Sequence, residues 1–358
     1  MLQAIRTDGE RKIFWIIHQH RGISRTELAQ LSGLTTSAVT QIVKRLIAQD
    51  LVTEGREQPT PGSGRNRIDL LIAGHAYRLL GVVLRRDDVL WALCKFDGSV
   101  IRTGEIRLQA DRGFAAVESM IDRVREEVAA DRAELLAVGL GLPRFSMPWI
   151  HSEQFARLFS SRLAAPCYTH HNATYAALGE MWHSRRDPGD AFLYVFLGGG
   201  IGGALVQERS IAELPEIHSM EVGHVGIDSE GEPCICGNRG CMEIVSSPLG
   251  ILRAAGVGSL ADLRPRLTAD AGLIRRATER LAYGLTSIVN ILDVPRIVLG
   301  GYEENILIEL YGNLQEMMAR RMGAREHPAT VAMAQSGRYV SAVGAALGSV
   351  YGMGNRLS

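Results

Sequence analysis

The segment Cys234-Ile-Cys236-Gly-Asn-Arg-Gly-Cys241, preceded by Glu221-Val-Gly-His224, restricts what this chain can fold into more than any other feature. It gathers three thiols and an imidazole at spacings that suit a metal. Zinc takes four nitrogen or sulfur ligands in a tetrahedron, and glycines at 237 and 240 let a tight loop turn three sulfurs inward without side-chain clashes. His224 is the natural fourth ligand, so the set reads as one structural Zn2+ site of His224, Cys234, Cys236 and Cys241. A disulfide or free buried thiols are the competing accounts. A one-residue gap strains a disulfide, and nothing else in the chain indicates an oxidising compartment.

The N-terminal part carries a second pattern. Ile13, Ile16 and Ile17 fall on one helical stripe, and a short helix fits Arg25 to Leu31, with Ser24 as N-cap and Glu27 completing a capping box. Gly33 breaks the chain. Thr35 can then cap a third helix with Val39, Ile42, Val43, Leu46 and Ile47 on one face and Thr36, Ser37, Thr40, Gln41 and Lys44 on the other. A strand at Leu51 to Glu54, a Pro/Gly-rich tip from Pro59 to Gly64 and a returning strand at Ile68 to Ile72 form a β-hairpin wing. Hydroxyls, an amide and a lysine on the third helix suit the major groove, and Arg65 and Arg67 sit where a wing meets phosphates. The alternative is a solvated helix face. Three helices followed by a basic, glycine-rich hairpin favour a winged helix-turn-helix on a double-stranded DNA operator, working as a dimer because one module reads one half-site.

Charge permits this without requiring it. The net charge is zero, yet residues 1–75 hold ten Lys and Arg against seven Asp and Glu, a surplus that the remainder offsets. At 358 residues and 46% hydrophobic, the chain can bury cores for two or three domains. No leader or membrane-spanning run stands out, so a cytoplasmic protein is expected, with Cys94 and Cys167 as buried thiols. From about residue 75 the pattern is α/β. Strand-like runs at Leu80–Leu84, Val89–Cys94, Ala137–Leu142, Ala191–Leu197 and Arg296–Leu299 alternate with helical stretches at Ala115–Ala130, Thr174–His183 and Leu273–Leu292, and no internal repeat is visible. Glycine turns at Leu197–Gly203 and Leu299–Gly301 can bring backbone N–H groups close to a phosphate or a sugar.

The winged helix, Glu221-Val-Gly-His224, the three-cysteine cluster and the trailing Glu243 together resemble the ROK family of repressors, open reading frames and kinases. The resemblance spans nearly the whole chain. It implies an N-terminal winged helix-turn-helix over 1–72, followed over 73–358 by a two-lobed actin-like, ribonuclease H-like sugar-kinase body with a sugar cleft between its lobes. Members with a winged helix are regulators of sugar uptake and catabolism, of the N-acetylglucosamine- and glucose-repressor type. The resemblance places a sugar or sugar phosphate among His171, Asn172, Glu221, His224 and Glu243. Glu221 and Glu243 have a second possible task, holding the zinc histidine and its loop.

Two kinase motifs of the family are altered. The Asp-x-Gly-Gly-Thr phosphate cradle corresponds to Val83-Leu84-Arg85-Arg86-Asp87, without its acid and glycines. The Asn-Asp pair, whose aspartate acts as general base, becomes His171-Asn172, and an amide cannot take a proton at neutral pH. Arg144 stands in the Gly-x-Gly-x-Pro-Gly loop where glycine is expected; it either crowds the pocket or pairs with an acidic sugar. No catalytic residue and no kinase activity are therefore expected. The expectation is a homodimeric or tetrameric repressor, sensing sugar by cleft closure, with no membrane partner. A sugar kinase with an appended DNA-binding module and a regulator that senses a protein are the alternatives.

Overall fold

The computed structural model describes residues 7–20, 22–58, 67–85, 88–108, 114–143, 152–184, 191–207, 216–259, 262–263, 265–266, 272–302, 304–323 and 328–352. Arg65, Arg86, Asp87, Arg144 and the wing tip at 59–64 lie outside the described residues.

Three helices open the chain: α1 (Asp8–His20), α2 (Arg25–Ser32) and α3 (Thr36–Ile47). Ile13, Ile16 and Ile17 are fully buried against Leu28, Val39, Val43 and Leu46, as their helical spacing requires. Ser24 and Glu27 form the expected capping box, and Thr35 accepts from the Ala38 N–H. An antiparallel hairpin follows, β1 (Val52–Gln58) with β2 (Arg67–Ile72), and a bridge between Ile23 and Leu70 ties it to the helices. This is the winged helix-turn-helix.

Among its described residues the body contains two five-stranded sheets. The first has β3 (Tyr77–Leu84), β4 (Asp88–Lys95), β5 (Val100–Arg107), β6 (Glu134–Leu142) and β7 (Cys167–His171), in the order β5-β4-β3-β6-β7. The second has β8 (Phe192–Leu197), β9 (Ile201–Gln207), β10 (Glu216–Met220), β11 (Arg296–Gly301) and β12 (Thr330–Met333), in the order β10-β9-β8-β11-β12. Each sheet is an antiparallel meander of its first three strands, with the fourth and fifth added in parallel. The lobes are therefore a structural duplication, although no repeat was visible in the sequence. Period-two packing preserves the topology with different residues: Phe192, Tyr194 and Phe196 enter one core while Leu193, Val195 and Leu197 enter another.

In the first lobe, α4 (Phe114–Val128) joins β5 to β6, and α5 (Ser152–Leu163) joins β6 to β7. In the second, α7 (Met242–Ser246), α8 (Pro248–Ala254) and α9 (Gly272–Leu292) lie between β10 and β11, and α10 (Glu304–Met322) joins β11 to β12. The last helix of each lobe crosses to the other: α6 (Asn172–Ser184) packs on β8, β9 and β10, and α11 (Val340–Gly352) packs on β3 and β6. The crossing is close. A Cβ on Gly139 would stand 1.8 Å from the Ala345 carbonyl oxygen, so the helix rests on strand backbone. Cys94 is buried and Cys167 half-buried, and burial pushes both thiols up to about 12. No helix among the described residues is long and apolar enough to cross a membrane.

Candidate functional site

After β10 the chain makes one 3-10 turn, Val222–His224, and enters the cysteine loop. Bridges between Gly226 and Cys241 and between Pro233 and Arg239 fold the loop back on itself. Gly237 (φ 93°) and Gly240 (φ 57°) supply its left-handed corners. The ligand atoms of His224, Cys234, Cys236 and Cys241 all lie within 4.8 Å of one another. Cys236 Sγ is 3.6 Å from Cys241 Sγ, and Cys234 Sγ is 3.3 Å from His224 Nδ1. Zinc–sulfur and zinc–nitrogen bonds of about 2.3 and 2.0 Å give tetrahedral edges of about 3.5–3.8 Å, whereas a disulfide needs about 2.05 Å. The spacing fits a tetrahedral metal and excludes a disulfide at that distance. Burial, then the neighbouring thiols, pushes Cys241 up to about 12, a crowding that a divalent cation relieves.

His224 turns Nδ1 to the sulfurs and Nε2 to Glu221, whose Oε2 lies 3.9 Å away. Glu243, in the first turn of α7, accepts the Ile201 N–H at 2.7 Å and rests against Gly200. That bond fixes the glycine turn between β8 and β9, so one of its oxygens is already engaged. Asn172 begins α6 and donates Nδ2 to the Leu84 carbonyl at 3.0 Å; its buried Oδ1 has no hydrogen-bond partner among the described residues. His171 precedes it, and its N–H donates to His170 Nδ1 at 2.8 Å. Burial, then the neighbouring His171, draws His170 down to about 4, so this ring is neutral at physiological pH. The start of β9 is common ground for both lobes: Gly202 packs on Ala173, Ile201 holds Glu243, and Gly223 lies on the Ile201 carbonyl.

The end of β3 has a feature that the altered motif only half disclosed. Arg85 leaves β3, pairs with Asp88 at 2.9 Å and lays its guanidinium 4.3 Å over the ring of Tyr302 in the opposite lobe. Tyr302 follows the Gly300-Gly301 turn, donates its N–H to Leu197 and bonds Ser341 through its hydroxyl at 3.0 Å. Arg338, ahead of α11, reaches back to Glu105 on β5 at 2.7 Å. Burial, and next the proximity of Glu105, raises Asp88 to about 6 despite Arg85. Substitution of the cradle glycines was legible in the sequence. The partner Tyr302 was not, since it stands on another lobe.

On the winged helix, Thr36, Ser37, Gln41 and Lys44 are exposed along α3, while Thr40 is half-buried and donates its hydroxyl to the Thr36 carbonyl at 2.8 Å. Arg67 pairs with Glu27 at 2.7 Å and Asp69 at 3.1 Å. A phosphate at Arg67 has to compete with two carboxylates, a constraint that the wing pattern did not reveal.

The ROK family model matches residues 109–348, and a winged helix-turn-helix DNA-binding model matches residues 10–53. A putative xylose repressor of Caldicellulosiruptor is 26% identical over 82% of this chain and 83% of its own length. A glucokinase of Halalkalibacterium halodurans is 25% identical over 62% of this chain and 79% of its own. The crystal structure of a ROK family transcriptional regulator, a homolog of the Escherichia coli Mlc protein, superposes with a TM-score of 0.77 at 19% identity, covering 98% of this chain and 97% of that one. With the family match extending over most of its length and the same winged helix and two-lobed body, the chain belongs to the ROK family.

Proposed function

We propose that the chain is a DNA-binding transcriptional repressor whose zinc-braced, catalytically inactive sugar-kinase-like body senses a carbohydrate. The observation that carries this reading is the open polar face of α3, with Thr36, Ser37, Gln41 and Lys44 exposed on a winged helix fused to a ROK body. Residues 1–72 form the DNA-binding module and 73–358 the sensor. Zinc, held by His224, Cys234, Cys236 and Cys241, supplies a rigid cross-link. His224, fixed through Nδ1, then offers Nε2 to the cleft, where Glu221, Glu243, Asn172 and His171 supply further polar groups for sugar hydroxyls. A ligand that binds the closed cleft better shifts the equilibrium between two spacings of the winged helices in a homodimer; tenfold weaker operator binding corresponds to about 1.4 kcal/mol of coupling.

Two groups argue against phosphoryl transfer. Asn172 is an amide where the family's kinases carry the general base, and Arg85, stacked on Tyr302, fills space that a phosphate cradle keeps open. The glucokinase relative favours the enzymatic alternative. Purified protein is incubated with sheared genomic DNA from its source, with and without xylose, glucose or N-acetylglucosamine, and the bound fragments are sequenced. Enrichment of a palindromic site that a sugar abolishes supports the repressor. Absence of enrichment together with ATP turnover on any of these sugars replaces it with a kinase.

A further inference from the structure

The winged helix does not hang from the body on a linker. Its first helix is inserted into an aromatic joint: Phe14 lies 5.6 Å from Phe96, in the turn between β4 and β5, and His18 lies 4.4 Å from Trp182, with the two rings inclined by 30°. Trp15 adds a contact to His18 at 5.9 Å, and Tyr77 closes the other flank, edge-on to Phe96. His18 is only 2% exposed, and α1 shares one continuous hydrophobic core with α6 and α11. Gly98 lets the turn lie flat on Trp182, since a Cβ there would stand 2.7 Å from the indole nitrogen.

Trp182 belongs to α6, whose other end is Asn172, among the residues proposed above to face the sugar. At 1.5 Å per residue the helix rises about 15 Å between these two residues. Along its length α6 is gripped closely. Buried Glu180 accepts the Gln335 and Ser336 N–H groups at 3.1 Å, and Gly344 and Gly179 set the backbones of α11 and α6 directly against each other. A helix packed backbone to backbone moves as a rigid body, because no intervening side-chain rotamers can absorb a displacement.

We propose that α6 is the rod connecting the sugar cleft to the DNA-binding module, and that the Trp182–His18 contact is its output joint. This rests on the regulator reading given above. A shift of the lobes about the cleft carries Asn172, and the same rigid helix carries Trp182 and hence α1. Trp182 acts on DNA only through α1, which makes it a positioning residue.

Two measurements on the full-length protein test the joint. The first needs neither DNA nor sugar: amide hydrogen exchange of α1 is compared in the wild type and Asn172→Ala. Release of the Leu84 carbonyl at the cleft end is expected to speed exchange in α1 by about threefold or more, and no change in α1 overturns the proposal. The second measures anisotropy of the selected DNA fragments with xylose, glucose and N-acetylglucosamine as probes. Trp182→Leu is expected to bind DNA within about threefold of wild type while losing the roughly tenfold sugar response, and Trp182→Phe is expected to keep it. A full response in Trp182→Leu also overturns the proposal. If the wild type binds no DNA, the regulator reading fails, and the exchange measurement still decides the joint.

Discussion

Replacement of Cys236 by serine tests the proposed zinc site, and the structure sets the size of the effect. The fifteen residues 226–240 contain one buried residue, Gly240, so the loop has almost no core of its own. Ordering its backbone costs about 1 kcal/mol per residue at the lower end, roughly 15 kcal/mol in all. Five backbone hydrogen bonds, from the N–H groups of Ile227, Gly231, Cys234, Gly237 and Gly240, return about 1 kcal/mol each. The remaining roughly 10 kcal/mol matches the 10–16 kcal/mol that a structural zinc contributes. Without the metal the loop should lose order, while Val222 and Met242 on either side stay in the core of the second lobe. Expected in Cys236→Ser is a fall from one zinc per chain to less than about a tenth by mass spectrometry, with new proteolytic cuts between 228 and 239 and a body that still unfolds cooperatively. One zinc per chain retained in the variant would refute the ligand assignment, and a protected loop in zinc-free protein would refute the energetic reasoning.

Three further outcomes can be checked. Asp88 titrates near 6 in the folded chain against an ordinary 3.8, so between about pH 4 and 6 only the folded state keeps the proton and stability falls as pH rises, by up to about 1.4 kcal/mol per pH unit; Asp88→Asn should remove that slope in urea melts at pH 4.5, 5.5 and 6.5, and parallel slopes would reject the assignment. Lys44→Ala should lower the salt dependence of DNA binding by about one phosphate contact, whereas Arg67→Ala should change it little because Glu27 and Asp69 already take that charge; equal effects would contradict the pairing. Gly139→Ala should cost about 3 kcal/mol or more in urea unfolding, since its Cβ would meet the Ala345 carbonyl at 1.8 Å, and a loss below about 1 kcal/mol would show that α11 yields easily.

Local signals in the sequence determined the parts of this protein that are built locally. The capping box at Ser24 and Glu27, the apolar stripe of α3 and the glycine corners of the cysteine loop involve residues a few positions apart, and the structure has each where short-range stereochemistry puts it. Several strands and helices were not legible. Strand β7, whose five residues are all half-buried, lacks the alternation that marks an edge of a core, and β5 alternates weakly because much of it faces solvent. The internal duplication was hidden for another reason: a strand order is kept by any apolar residues of suitable period, so two lobes can share a topology with unrelated side chains. The contacts between lobes and between domains depended most on tertiary structure. Arg85 was visible as a lost glycine, but its stacking on Tyr302 joins residues more than two hundred positions apart, and the contact of Trp182 with His18 joins two domains. Spacing along a chain records which residues share a turn or a face. Which faces meet is decided by the crossing of α6 and α11 between the lobes, and that crossing is a property of the packed molecule alone.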